Sequence, residues 1–331
     1  MSYLFYILIS AAFIIILFYL FIFLNIIINM KWFKNQPEEG KFIEINEKKI
    51  HCRVKGKGDT IVVINAIGAS QAEWWSIQDE LEENFHVITY DRAGYGWSTK
   101  DEEPRTISNI CDELDLILTS EEVNKPIYLV TSGTGTFFAQ YFAATRPEKV
   151  AGVLFINPPP INYELWLKEV NSAEDCPNIF ETAQNKSKNV SKGIYRITSP
   201  IKGYKPEKKY KRYIIEHYSK HENYKTVQAE FSEFMNNINQ LKGLDFPSIP
   251  LRILKTSIEF LIRDWVQNGT SEYSARQLGR YYEEMTKDIL SLSPHALLVE
   301  VNEAGENIHL NRPKIVVEEI SKLIDSKKAA Q

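Results

Sequence analysis

Cysteine is scarce in this chain. Three residues in 331, Cys52, Cys111 and Cys176, are too few and too scattered for a disulfide framework, and an odd count leaves at least one thiol free, which favours a reducing compartment. A basic excess is missing as well. With 39 Lys and Arg against 43 Asp and Glu the net charge is −4, so no basic face spreads across the fold and nucleic acid is not an expected partner. No Cys/His spacing suits zinc, and no phosphate loop of the Rossmann or P-loop type is present, because Gly94-Tyr95-Gly96 is too short. Neither a metal nor another cofactor is expected. Repeats and low-complexity tracts are also lacking, and 44% hydrophobic with 25% charged residues is an ordinary globular balance for one large domain or two smaller ones.

Charge is absent from one long stretch. From Leu4 to Met30 only Tyr, Ser and Asn interrupt the apolar run. A helix of that length covers roughly 40 Å, more than the ~30 Å hydrocarbon core of a bilayer. Tyr3 and Tyr6 at one end and Trp32 at the other suit the interfacial aromatic belts. The run is too long for a secretory signal, lacks a basic leader and is followed by no small-residue cleavage site. The sequence therefore predicts a single-pass anchor over residues 4–30, with the lipid bilayer as a partner. No Lys or Arg precedes the run, whereas Lys31, Lys34, Lys41, Lys48 and Lys49 follow it, which places the globular part in the cytoplasm by the positive-inside rule.

Residues 31–40, with Pro37 and Gly40, read as a linker. Beyond it, short β-branched runs alternate with helical patterns. Strands are expected at Lys41–Asn46, Lys49–Lys55, Thr60–Asn65, His86–Asp91, Pro126–Thr131, Val150–Asn157, Leu251–Lys255 and Ala296–Val301. The first two are polar enough for a hairpin turning near Glu47 and Lys48, and the later ones are near-continuous apolar runs of the kind a parallel sheet buries on both faces. Ile107, Ile110, Leu114, Ile117 and Leu118 follow a 3.6-residue period, as do Val316, Val317, Ile320, Leu323 and Ile324. This order implies an α/β doubly wound sheet, eight-stranded and mostly parallel, with helices on both faces. Residues 162–247 break the rhythm with helical, Lys- and Tyr-rich sequence and no clear strand. They read as a helical lid between two core parts, 41–161 and 248–331, covering the carboxyl edge of the sheet, where ligands bind in open α/β folds.

Three segments carry a family resemblance. VVINAIGASQAEW, ITYDRAGYGWS with the EEPRT that follows, and IYLVTSGTGTFFAQYFAATRPEKVAGVLFINPPP resemble the α/β-hydrolase superfamily, in its small-molecule hydrolase branch. With VNEAGENIHLNRPKIVVEEI the likeness covers about 41–162 and 248–325. In the first segment Asn65 and Ala66 replace the His-Gly of the family. The nucleophile elbow, Gly-x-Ser-x-Gly, corresponds to Thr131-Ser132-Gly133-Thr134-Gly135, so the nucleophile position holds Gly133, which has no side-chain atom to attack with. A register that made Ser132 the nucleophile would put Val130 and Thr134 where the turn wants glycine. The Gly-His pair that supplies the catalytic base corresponds to Gly305-Glu306, a carboxylate without the two-nitrogen relay of imidazole. His309 reads as structural. The triad acid position stays open, with Glu259 and Asp264 in the matching loop.

The resemblance thus implies a scaffold without its hydrolytic residues. The backbone N–H groups of Ile67 and Thr134 would flank the pocket, with Asn65, Trp74, Ser132 and Glu306 around it, to hold a small apolar ligand or a protein partner. Each has a plainer alternative: Asn65 satisfying backbone groups, Trp74 packing the first helix, Glu306 folding back onto the free N–H groups. An active esterase- or amidase-like hydrolase with an atypical arrangement, and a scaffolding module of a membrane complex, are the competing readings. Asp91, Arg92 and Arg105 read as an internal polar network. The basic run from Lys202 to Arg212, continued by Tyr213, reads as a solvated face, with contact to anionic head groups as the alternative.

Overall fold

The computed structural model describes residues 2–34, 39–172, 201, 204, 206–305 and 307–329. The first helix, α1 (Ser2–Lys34), contains a segment, Tyr3–Leu24, long and apolar enough to cross a membrane. The eight expected strands all form, within one residue of the expected bounds: β1 (Lys41–Ile45), β2 (Lys48–Lys55), β3 (Thr60–Ile64), β4 (His86–Tyr90), β5 (Ile127–Ser132), β6 (Val150–Ile156), β7 (Leu251–Thr256) and β8 (Ala296–Val301). They make one sheet in the order β1-β2-β4-β3-β5-β6-β7-β8. β1 pairs antiparallel with β2 and β2 antiparallel with β4, while every later pair is parallel. The hairpin turns at Asn46 and Glu47, both at positive φ (45° and 67°), one residue earlier than expected. A two-residue turn needs that left-handed backbone to match strand twist, and Asn enters it readily.

β3, β5 and β6 are buried along their whole length, which is why they read as unbroken apolar runs. On one face pack α3 (Ile107–Ser120) and α4 (Gly135–Thr145), through Ile110, Leu114 and Phe142. On the other lie α2 (Trp75–Leu81) and a C-terminal helix over Pro313–Ala329, through Ile77, Leu81, Ile320 and Leu323. Cys52 and Cys111 are free and buried, and burial pushes both thiols up. Cys176 lies outside the described residues.

Between β6 and β7 the described chain is helical: α5 (Tyr163–Ser172), α6 (Lys208–Ser219), α7 (His221–Ser232) and α8 (Phe234–Asn239). Of the basic run, Lys202, Gly203 and Lys205 lie outside the described residues. Lys208, Lys209 and Lys211 are exposed on α6, and Lys209 bonds Asp79 at 2.5 Å. Tyr210 and Tyr213 turn inward onto the Trp75 ring, so the aromatics of this run serve packing.

Candidate functional site at the turn between β5 and α4

Parallel strands end together at one edge of the sheet, so the loops after β3, β4 and β5 converge there. Ser132 is the last residue of β5, paired with Ile156 in the ladder. Gly133 alone leaves the strand in left-handed backbone, at φ +50°, and its N–H donates to Ile156 O at 3.0 Å. Gly133 is therefore the apex of the turn, and Ser132 belongs to the strand. A Cβ on Gly133 would find only the Ala66 methyl, at 3.6 Å, an ordinary contact. A Cβ on Gly135 would stand 2.5 Å from Ile64 O, so this glycine permits the close approach of α4 to β3. Gly133 and Thr134 are half-buried.

Sequence reasoning offered the Ile67 N–H to a ligand. In the structure it donates instead to Thr134 Oγ1, at 2.8 Å, so the chain's own hydroxyl sits on that donor. Asn65 is buried; its amide nitrogen donates to Tyr90 O at 3.3 Å, while Oδ1 has no partner among the described residues. Trp74 is 1% exposed and stacks on His309 with ring centroids 4.5 Å apart, as its packing alternative expects. His309 is buried too, with Nε2 3.6 Å from Glu73 Oε2. Glu306 lies outside the described residues. Its neighbour Gly305 is tied to the ends of β6 and β7: Thr256 Oγ1 donates to Gly305 O at 2.9 Å, and Asn157, at φ +43°, accepts from Thr256 N–H at 2.8 Å. Of the two candidate acids, Glu259 is exposed and Asp264 half-buried, and neither carboxylate pairs with an imidazole among the described residues.

The expected polar network is present and larger than the sequence suggested. Arg92 forms a two-pronged pair with Glu230 of α7 (2.9 and 2.8 Å) and also donates to the carbonyls of Asn65 (2.7 Å) and Ala66 (3.4 Å). Arg105 bridges Glu230 and Glu113, each at 3.4 Å, and Tyr95 donates to Glu230 at 3.0 Å. All are buried. The two guanidinium groups hold the Glu230 carboxyl below the usual range against the opposing pull of burial, whereas burial raises that of Glu113. On the neighbouring side Asp91 accepts from the Gln71 N–H (3.0 Å) and side chain (3.1 Å). Sequence reasoning missed Glu230 and also His217. The latter's Nε2 lies 3.0 Å from Gly68 O, and burial lowers its pKa, which leaves a neutral imidazole donating to that carbonyl. No group of three or more His, Cys, Asp or Glu among the described residues is arranged to hold a metal.

Comparison with known proteins agrees with this geometry. Residues 59–196 match the family model described as alpha/beta hydrolase fold. The chain is 21% identical over 266 residues to the uncharacterized protein YqjL of Bacillus subtilis, covering 80% of this chain and 83% of that protein. It is 22% identical over 292 residues to an AB hydrolase superfamily protein of Gibberella zeae, covering 80% and 86%. Among solved structures it resembles the epoxide hydrolase CorEH (TM-score 0.61, 16% identity, 86% of this chain and 98% of that one). It also resembles a membrane phospholipase A described as a bacterial virulence factor (TM-score 0.58, 16% identity, 87% and 86%). With its strand order, its antiparallel second strand and its left-handed turn after β5, the chain has the α/β-hydrolase fold.

Proposed function

We propose that this chain is a membrane-anchored, non-hydrolytic member of the superfamily that uses the space above the β5–α4 turn to bind a small ligand or a protein partner. The observation that carries the reading is the turn itself: its apex is glycine, and the neighbouring Thr134 hydroxyl sits on one of the two N–H groups a hydrolase would turn on an oxyanion. Glu306 at the position of the base points the same way. α7 covers the edge as a lid through Glu230. The span Tyr3–Leu24 serves as the anchor, and the lysines that follow it favour a cytoplasmic globular part.

The experiment is labelling of the purified chain with a fluorophosphonate probe beside a panel of p-nitrophenyl esters. No labelling and no turnover are expected. Labelling that disappears in Ser132→Ala would overturn the proposal in favour of an active esterase-like enzyme. Thermal shifts with small apolar esters or acids separate a ligand binder, which responds, from a bare scaffold, which does not. Combining Gly133→Ser with Glu306→His is expected to restore slow ester turnover. Adding Thr134→Val frees the Ile67 N–H, a donor of the kind worth about 10²-fold in rate.

A further inference from the structure

β8 (Ala296–Val301) ends the sheet and pairs on one side only, with β7. The strand at the other end, β1, exposes Lys41 and Glu44, charges of the kind that keep a foreign strand away. β8 is not guarded in this way. It holds no Lys or Pro, its register with β7 runs without a break, and its one charge is Glu300. Leu297 is 54% exposed and Leu298 40%. Because neighbours along a strand point to opposite faces, this end of the sheet is apolar on both.

The backbone of β8 has a free side as well. Val301 O accepts from Ser257 N–H at 3.1 Å, so the main-chain groups of Val301 face β7, and by alternation so do those of Val299 and Leu297. Leu298 and Glu300 therefore turn N–H and C=O away from the sheet. Ala296 turns out its C=O, its N–H being taken by Ser293 O at 3.1 Å.

These outward groups complement one another in one antiparallel register. With a two-fold axis at Leu298, each Leu298 N–H donates to the carbonyl of the partner's Leu298, and each Glu300 N–H to the carbonyl of the partner's Ala296. Leu298 then meets the partner's Leu298 on one face, and Leu297 meets the partner's Val299 on the other. The two Glu300 carboxylates lie far apart, each opposite an alanine. A slip of two residues would set Glu300 against the partner's Leu298, or opposite the partner's Pro294, which has no N–H to give. Pairing of β8 with β1 of another copy would run on as an open filament, whereas β8 on β8 closes at two.

We infer that β8 is the contact surface for a second copy of this chain, the two sheets joining antiparallel about Leu298 into one. A strand of six residues makes a small interface, so the pairing is reversible. It does not depend on whether the β5–α4 turn supports hydrolysis.

The test is sedimentation equilibrium of the full chain in density-matched detergent micelles, across a range of protein concentrations. A monomer–dimer equilibrium is expected. Leu298→Lys sets two ammonium groups against each other on the axis and weakens self-association about 100-fold or more, while the monomer stays folded. Leu297→Glu, on the opposite face, serves if that variant does not fold. Oxidation locates the contact, since Cys52 and Cys111 are buried and Cys176→Ser removes the remaining thiol. In that background Leu298→Cys closes a disulfide between copies, its Cα atoms standing about 5.5 Å apart, whereas Glu300→Cys, about 14 Å from its twin, does not. A chain that stays monomeric, with β8 open or covered by another protein, overturns the inference. So does a dimer indifferent to Leu298→Lys, whose contact would lie in α1 or elsewhere, or a cross-link through Glu300→Cys that forms as readily as the one through Leu298→Cys.

Discussion

Replacing Gly133 with alanine isolates the conformational demand of the turn from its chemistry. At φ +50° a residue with a Cβ pays about 1–2 kcal/mol relative to glycine, while the stiffer unfolded chain returns about 0.4–1 kcal/mol. Contact adds nothing, since the new methyl would stand 3.6 Å from Ala66 Cβ. The net loss is about 0–1.6 kcal/mol, or roughly up to 6 °C in Tm for a domain of this size. Gly135→Ala is the internal control. Its φ is ordinary, yet its methyl would meet Ile64 O at 2.5 Å and Asn65 O at 2.9 Å, backbone atoms of β3 and the residue after it that cannot swing aside. Overpacking of this kind costs about 1–3 kcal/mol or more. Tryptophan fluorescence during thermal unfolding, with both variants in the same lipid environment, reads the order directly. If Gly133→Ala proves more damaging than Gly135→Ala, or stabilises the chain, the assignment of Gly133 as the relaxed apex is wrong.

Other expectations concern the groups around the turn. Thr134→Val removes the acceptor of the Ile67 N–H, so hydrogen exchange at Ile67 should accelerate about tenfold or more, with little change in β3. Glu230→Ala leaves Arg92 without its carboxylate partner and Arg105 with one fewer; loss of one partner from a buried pair costs about 3–5 kcal/mol, seen as a marked drop in the denaturant midpoint. The pH response follows from the lowered Glu230 pKa. A carboxyl held below its unfolded value of ~4.3 stabilises the fold above that pH and loses the contribution as pH falls through the folded pKa, so Glu230→Gln should flatten the acid limb of stability against pH. Burial of neutral His217 acts at milder acidity, because its lowered pKa makes the unfolded chain bind protons first as pH drops below ~6.5; His217→Gln should lessen stability loss between about pH 6.5 and 5.

The centre of the sheet was legible because β3, β5 and β6 are apolar runs that the fold buries along their whole length, with no polar face to confuse the pattern. The hairpin slipped by one residue because Asn46 accepts left-handed backbone more cheaply than Lys48. Thr131–Gly135 located the turn because a sharp strand-to-helix junction needs glycine at the apex and at the packing point. What escaped was carried by side chains far apart in sequence. Thr134 bonds a backbone group 67 residues earlier, and Glu230, in the helical insertion where no motif marks it, is 1% exposed. Trp74 was ambiguous because an aromatic beside a glycine-rich loop fits both a pocket and a core; only the stack on His309 decides.

Arg92 fastens two things with one side chain: the helical insertion, through Glu230, and the carbonyls of the loop that follows β3. Removing either partner of this buried pair would leave the other charge without compensation, at a cost of about 3–5 kcal/mol. One guanidinium thus joins parts of the chain 138 and 27 residues away from it, so a substitution at Arg92 would disturb α7 and the β3 loop together.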